Sequence, residues 1–291
     1  MTSEINDEVK MISKDQRCSP DKRYENGSCI SKEHLILMAE EYNKMYPDKI
    51  KLSFKNEAIN SNKYKQYLSS EFKKRLSNVC DDQLCWIRQD FMKKMNDRIR
   101  TSIKESFRPK GPEGKFEWLN TVNIEEVLKQ YERVNNDFKF LGAVPMDFDD
   151  FPQFGISNLN FDHLIKESKT KFGIVFNLDD HNQPGSHWVS MYFDFNQYCI
   201  YYFDSCGLRP ERRVIKFIKR IAKHMKTINP LCKLKIEYNT FKHQLQNTEC
   251  GVYSILFIIC CVKDPANSFN KLNKRRITDE EVNEFREVFF T

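Results

Sequence analysis

Cys250 and Gly251 close the stretch His243-Gln244-Leu245-Gln246-Asn247-Thr248-Glu249-Cys250-Gly251, immediately before the most apolar helical run of the chain. Upstream lie Ser186-His187-Trp188, in a strand pattern, and Phe203-Asp204-Ser205, at the end of the next. A thiol at a helix start, with an imidazole, a carboxylate and a side-chain amide in fixed order, is what nucleophilic thiol catalysis requires. An ordinary thiol is only a few per cent ionised at neutral pH. Cys250 would sit where the helix dipole favours the thiolate. His187 would take the thiol proton and return it to a leaving amine. Asp204 would fix the imidazole tautomer and stabilise its cation. Gln244, six residues before the thiol, would donate to a developing oxyanion beside the Cys250 backbone N–H, with Gln246 a nearby competitor. Glu249 acts in the opposite sense, because its charge raises the pKa of an adjacent thiol.

Each residue has a plainer reading. Cys250 could be a small buried residue like Cys260 and Cys261. His187 could be a packed residue beside Trp188, and Asp204 could cap a turn before Gly207. The shared order and spacing favour the chemical reading.

The elements that must position these residues follow from periodicity. Strands are expected over Phe172–Leu178, Trp188–Phe193, Tyr198–Phe203 and Leu234–Tyr238. A hairpin turning about the Phe195–Asn196 bond would pair residues whose numbers sum to about 391, placing His187 directly opposite Asp204 with Cβ atoms roughly 5 Å apart. A one-residue slip would destroy both that pairing and the apolar face around it. A basic amphipathic helix is expected from Pro210 to Ile228. Thr278 and Glu281 would cap a last helix. Upstream, Ser31–Tyr46 and Asp81–Phe107 read as helices, the second with one continuous apolar stripe from Leu84 to Ile103. Another helix would open at Asn123 with Glu126 as capping partner. Arg108–Gly114, rich in Pro and Gly, breaks the helical pattern and divides a helical arm, 1–108, from a core, 109–291.

Composition sets outer bounds. The chain has 291 residues, of which 40% are hydrophobic and 23 are Phe, enough for a sizeable core. The longest apolar run, Val252–Val262, is too short to cross a bilayer, so no membrane partner is expected. The start, Met1 to Glu8, lacks the pattern of a signal peptide, so the expectation is a soluble protein made in the cytosol. Reduced thiols are therefore expected for the ten cysteines. Cys18, Cys29, Cys80 and Cys85 lack zinc-ribbon spacing, and no metal or cofactor is expected. A net charge of +6 is compatible with anionic partners without indicating one. Arg212, Arg213, Lys216, Lys219, Arg220 and Lys223 read as a solvated helix face, with nucleic acid as the unsupported alternative.

The motifs resemble the clan of adenain and of the proteases that process or remove SUMO-type modifiers, where His, Asp, Gln and Cys occur in this order. The resemblance extends toward the polyprotein-processing proteases of African swine fever virus and giant DNA viruses. It is carried there by Phe107–Pro112, the Asn123-Ile124-Glu125-Glu126 helix start, Asn247–Ser254 and Arg276–Glu281. It implies an α+β fold: a papain-like, adenain-type core with a mixed or antiparallel central sheet flanked by helices, plus the N-terminal helical arm. The swine fever relative has Asn as third member, whereas this chain offers Asp204. The resemblance further implies a cysteine protease cleaving viral structural polyproteins after Gly-Gly during virion maturation, in the host cytoplasmic viral factory and the virion. Trp188 would line the narrow groove that admits glycine beside the scissile bond. The alternatives are an isopeptidase removing ubiquitin-like modifiers that end in Gly-Gly, and an inactive scaffold binding Gly-Gly tails. The sequence leaves the oligomeric state open.

Overall fold

The structure is a computed structural model describing residues 16–53, 62–114 and 116–291. The segment Met1–Glu8, discussed above for its lack of a leader pattern, lies outside the described residues. The described chain divides into two compact units. One spans Gly111–Glu287; the other comprises the described residues up to Lys110 together with Val288–Thr291.

The unit ending at Lys110 is helical. α1 (Lys32–Met45) is capped by Ser31, whose hydroxyl accepts from the His34 N–H. It packs with α2 (Asn62–Leu76) through Leu35, Met38, Tyr42, Leu68 and Phe72. The expected single helix over Asp81–Phe107 is instead three: α3 (Gln83–Trp86), α4 (Asp90–Lys93) and α5 (Asp97–Lys104). The apolar stripe is present, but Asp82 and Asn96 break the rod by accepting from the N–H groups of Cys85 and Arg98.

The expectation of reduced thiols fails for four cysteines here. Cys18 pairs with Cys29 and Cys80 with Cys85, with Cα atoms 5.3 and 5.4 Å apart. The first pair meets because the chain reverses between Glu25 and Ser28, whose backbones exchange two hydrogen bonds around Asn26 and Gly27 at positive φ. Spacing along the sequence does not register that reversal.

The larger unit is built on one mixed five-stranded sheet in sequence order. β1 (Phe138–Val144) lies parallel to β2 (Lys171–Asn177); β3 (Trp188–Asp194) runs antiparallel to β2 and to β4 (Cys199–Phe203); β5 (Lys235–Tyr238) lies parallel to β4. β1 is absent from the strands anticipated above. The helix before it, α6 (Thr121–Val134), begins earlier than expected. Its capping box joins Asn120 to Asn123, because those two side chains each accept from the other's backbone N–H. After α7 (Phe161–Lys166), α8 (Arg212–Ile228) covers one face with Val214, Phe217, Ile218 and Ile221 in the sheet's main apolar cluster. Pro210 precedes its N-cap, Glu211, rather than occupying the first turn. On the basic outer face, Arg213 and Arg220 engage Asp150 and Asp149.

α9 (Cys250–Lys263) is buried from Cys250 to Val262 and packs on β3. Gly173 admits it to the sheet, since a Cβ there would lie 2.9 Å from Ile258 Cγ2. α10 (Pro265–Leu272) and α11 (Asp279–Glu284) follow, and α11 carries the expected Thr278–Glu281 capping box. α12 (Arg286–Phe289) is the last helix.

Candidate active site

The hairpin that carries His187 and Asp204 differs in register from the expectation. Ser190 pairs with Phe203, Met191 with Tyr202 and Asp194 with Cys199, so paired numbers sum to 393. The cause is the turn. The Asp194 carboxylate accepts from the N–H groups of Asn196 and Gln197, and Tyr198 adopts φ 48°, which lengthens the loop and moves the pairing by two residues. A two-residue shift preserves the faces. Continued past the strand ends, this register sets His187 opposite Cys206 and makes Asp204 its diagonal neighbour, within reach of a long side chain. Accordingly the far ring nitrogen makes the contact: His187 Nε2 lies 2.7 Å from Asp204 Oδ1.

Both residues are fixed from behind. The His187 carbonyl accepts from the Leu178 N–H at 2.9 Å, extending the β2–β3 pairing. Asp204 is 1% exposed. Its backbone N–H donates to Asn239 Oδ1 at 2.8 Å, and its carbonyl accepts from Asn239 Nδ2 at 2.7 Å. Its Oδ1 also accepts from the Cys206 N–H at 2.8 Å. Burial of the His187 ring lowers its pKa, but hydrogen bonds with Asp204, Cys206 and Cys250 outweigh this and push it up to about 12. The imidazole lies between the buried Asp204 carboxylate and the sulfurs of Cys206 and Cys250.

Cys250 is the first residue of α9 and is 2% exposed. Its own N–H is one of the four that a helix start leaves without an intrahelical acceptor. Gly251 has a steric reason to follow it. A Cβ at that position would fall 2.9 Å from Leu119 Cβ, and the Leu119 carbonyl accepts from Trp188 Nε1 at 2.8 Å. Trp188 is buried and, with Trp118, Leu119, Asn177, Asp179 and His181, borders a cleft of about 410 Å3.

Of the two candidate glutamines, Gln244 is buried and Gln246 exposed. Gln244 Oε1 accepts from the Ser205 hydroxyl at 2.6 Å, while its backbone N–H donates to the Ser205 carbonyl at 2.9 Å. The loop is thus tied to the residue after Asp204. Its Nε2 donates one hydrogen to the Gln246 carbonyl at 2.8 Å, leaving the second for another acceptor.

Several residues at this site were not singled out in the sequence. Asn239 holds Asp204, Ser205 orients Gln244, and Cys206 faces the imidazole. The ligating atoms of His187, Asp204 and Cys206 all lie within 4.8 Å of one another. Isolated Asn and Ser residues carry no spacing signal; Cys206 follows from the register once the turn is known.

Comparison with known proteins agrees with this architecture. Residues 169–290 match the Ulp1 protease family, C-terminal catalytic domain. A thiol protease of Acanthamoeba polyphaga mimivirus is 34% identical over 286 residues, covering 94% of this chain and 92% of its own length. The cysteine protease of African swine fever virus, named a SUMO-1 cysteine protease in some isolates, is 27% identical over 248 residues, 79% of this chain and 90% of its own. A crystal structure of the African swine fever virus protease matches the fold with a TM-score of 0.67 at 22% identity, covering 96% of this chain and 97% of that one. The near-complete match to the mimivirus enzyme extends well beyond the catalytic-domain segment, and the chain belongs to the Ulp1 protease family of cysteine proteases.

Proposed function

We propose that Cys250 is the nucleophile of a His187–Asp204–Cys250 triad, and that the enzyme cleaves viral structural polyproteins after Gly-Gly during virion maturation. The observation that carries the reading is one imidazole hydrogen-bonded to Asp204 through Nε2 and interacting with the thiol of the residue that opens α9. With Nε2 committed to Asp204, Nδ1 remains to serve the sulfur.

The thiolate attacks the scissile carbonyl carbon and the C=O π electrons move onto oxygen. The Cys250 N–H and the second Gln244 Nε2 hydrogen stabilise that oxyanion. On collapse, the C–N bond breaks and imidazolium delivers its proton to the leaving amine, leaving a thioester. Water then attacks the thioester with His187 as base, releasing the carboxylate product and the thiol. Asp204 keeps its charge throughout and stabilises the cationic ring. No metal or cofactor enters these steps. Trp188 would border the approach for a glycine-rich segment, where a side-chain Cβ would be excluded.

Two substrate classes are to be separated. The names thiol protease and cysteine protease, borne by proteins of DNA viruses, support proteolysis by a viral enzyme, for which structural polyproteins in the viral factory and the virion are the proposed setting. The name SUMO-1 cysteine protease favours isopeptidase action on modifiers ending in Gly-Gly. Incubation with a panel of Gly-Gly-Xaa peptides and with modifier–lysine conjugates separates them. The proposal expects peptide cleavage after the second glycine; cleavage of conjugates alone would transfer the function to the second class, and cleavage of neither would refute both.

A further inference from the structure

Glu249 poses an electrostatic problem for a neighbouring thiolate. It is fully buried at the residue before Cys250, and α9 has no side-chain N-cap to offset it. A buried carboxylate beside the sulfur opposes ionisation unless it is paired.

Its partners come from the last helices of the catalytic unit. Glu249 Oε1 accepts from Asn283 Nδ2 at 3.0 Å, and the two carboxylate oxygens also take the Thr248 hydroxyl and N–H. Asn283 Oδ1 in turn accepts from Arg286 Nε at 2.8 Å, while Arg286 Nη2 donates to the Thr248 carbonyl at 3.0 Å. Asn283 and Arg286 are 5% and 8% exposed. Arg286 Nη1 is buried with no hydrogen-bond partner among the described residues. A guanidinium buried at this cost holds the Thr248 carbonyl directly and reaches Glu249 through Asn283. Burial lowers the Arg286 pKa, while the charges of Glu249, Cys250 and Glu117 raise it.

We propose that Arg286 is a positioning residue for the nucleophile: through Asn283 and the Thr248 carbonyl it pins and neutralises Glu249, and its charge sustains the Cys250 thiolate. His187 supplies positive charge from the sheet side and Arg286 supplies it from the C-terminal helices. The inference rests on Cys250 being the nucleophile.

The test follows iodoacetamide labelling of Cys250 by peptide mass spectrometry across roughly pH 5–9, in the full chain, with circular dichroism as the folding control. Arg286→Met is expected to move the labelling profile to higher pH and slow labelling near neutrality about tenfold. Arg286→Lys should shift it less, and Glu249→Gln in the Arg286→Met background should restore it, since no charge is then left unpaired. Glu249→Gln alone should move the profile to lower pH, and it carries the test if Arg286→Met does not fold. A folded Arg286→Met, or Glu249→Gln, with a profile superimposable on wild type would overturn the inference. Wild-type labelling spread over several cysteines would overturn the assignment of Cys250 itself, and this inference with it.

Discussion

At the scale of single residues, the proposed roles differ in what their loss removes. His187 moves the proton, so His187→Ala should abolish turnover as completely as Cys250→Ala. Asp204 only orients and stabilises, so Asp204→Asn should leave activity measurable above both. Equal loss in all three, from steady-state rates on one peptide, would give Asp204 a role beyond orientation. Gln244→Ala should lower kcat by roughly 10²–10³ with little change in KM, because an oxyanion donor acts mainly in the transition state. The same signature from Gln246→Ala would move the oxyanion donor two residues along the loop. His187, Asp204 and Cys250 were legible in the sequence because each lies at or next to the end of an element with a clear pattern, whereas Gln244 lies in the loop before α9. The residues supporting them, Asn239, Ser205, Asn283 and Arg286, were not, since their meaning lies in contacts 34 to 39 positions away along the chain.

Elements supply the geometry, and there the hairpin register differs by two residues from the one that spacing predicts. His187 and Asp204 were expected as directly opposed residues and meet as diagonal ones. The pairing survives because a two-residue shift keeps every side chain on its face. The shift was hidden in the Asp194-capped turn, where a non-glycine residue, Tyr198, takes positive φ. The supposed rod over 81–107 failed for a related reason: periodicity reports the buried face, while Asp82 and Asn96 caps decide where a helix stops.

The loop before α9 yields a pH prediction. His243 is fully buried, and burial pushes its pKa down to about 4; its Nδ1 accepts from the Ile277 N–H, which requires the neutral ring. The nearby Arg276 charge acts in the same direction, against a backbone hydrogen bond to Leu272 that raises it. The unfolded chain takes up this proton near pH ~6.5. The contribution to stability is therefore complete above that pH and lost as pH falls toward about 4. About 3 kcal/mol is at stake. Denaturant melts across this window should show the decline in wild type and a flatter profile in His243→Asn, whose side-chain oxygen keeps an acceptor for Ile277. Equal slopes would contradict a neutral His243.

Viewed as a whole molecule, the chain joins a helical unit to a mixed-sheet catalytic unit, and the divide near the Pro- and Gly-rich stretch invites the question of self-processing. The nine glycines include no adjacent pair. An enzyme confined to Gly-Gly sites would have no target in its own chain. Full-length protein held at high concentration should keep its intact mass; trimming within 108–114 that disappears in Cys250→Ala would contradict the proposed specificity. The α+β class and the helical N-terminal part were legible from periodicity and resemblance together. The two disulfides were not, because thiol pairing depends on a chain reversal that cysteine spacing does not record.

The central claim is that one thiol does the chemistry, and alkylation tests it most directly. Four cysteines are held in disulfides, and burial pushes Cys199 and Cys260 up to about 12 and Cys261 well above its usual range. Substoichiometric iodoacetamide at neutral pH should therefore modify Cys250 first, read by peptide mass spectrometry, with peptidase activity falling in proportion to the fraction labelled. Labelling dominated by Cys206, or full activity with Cys250 alkylated, would contradict the account.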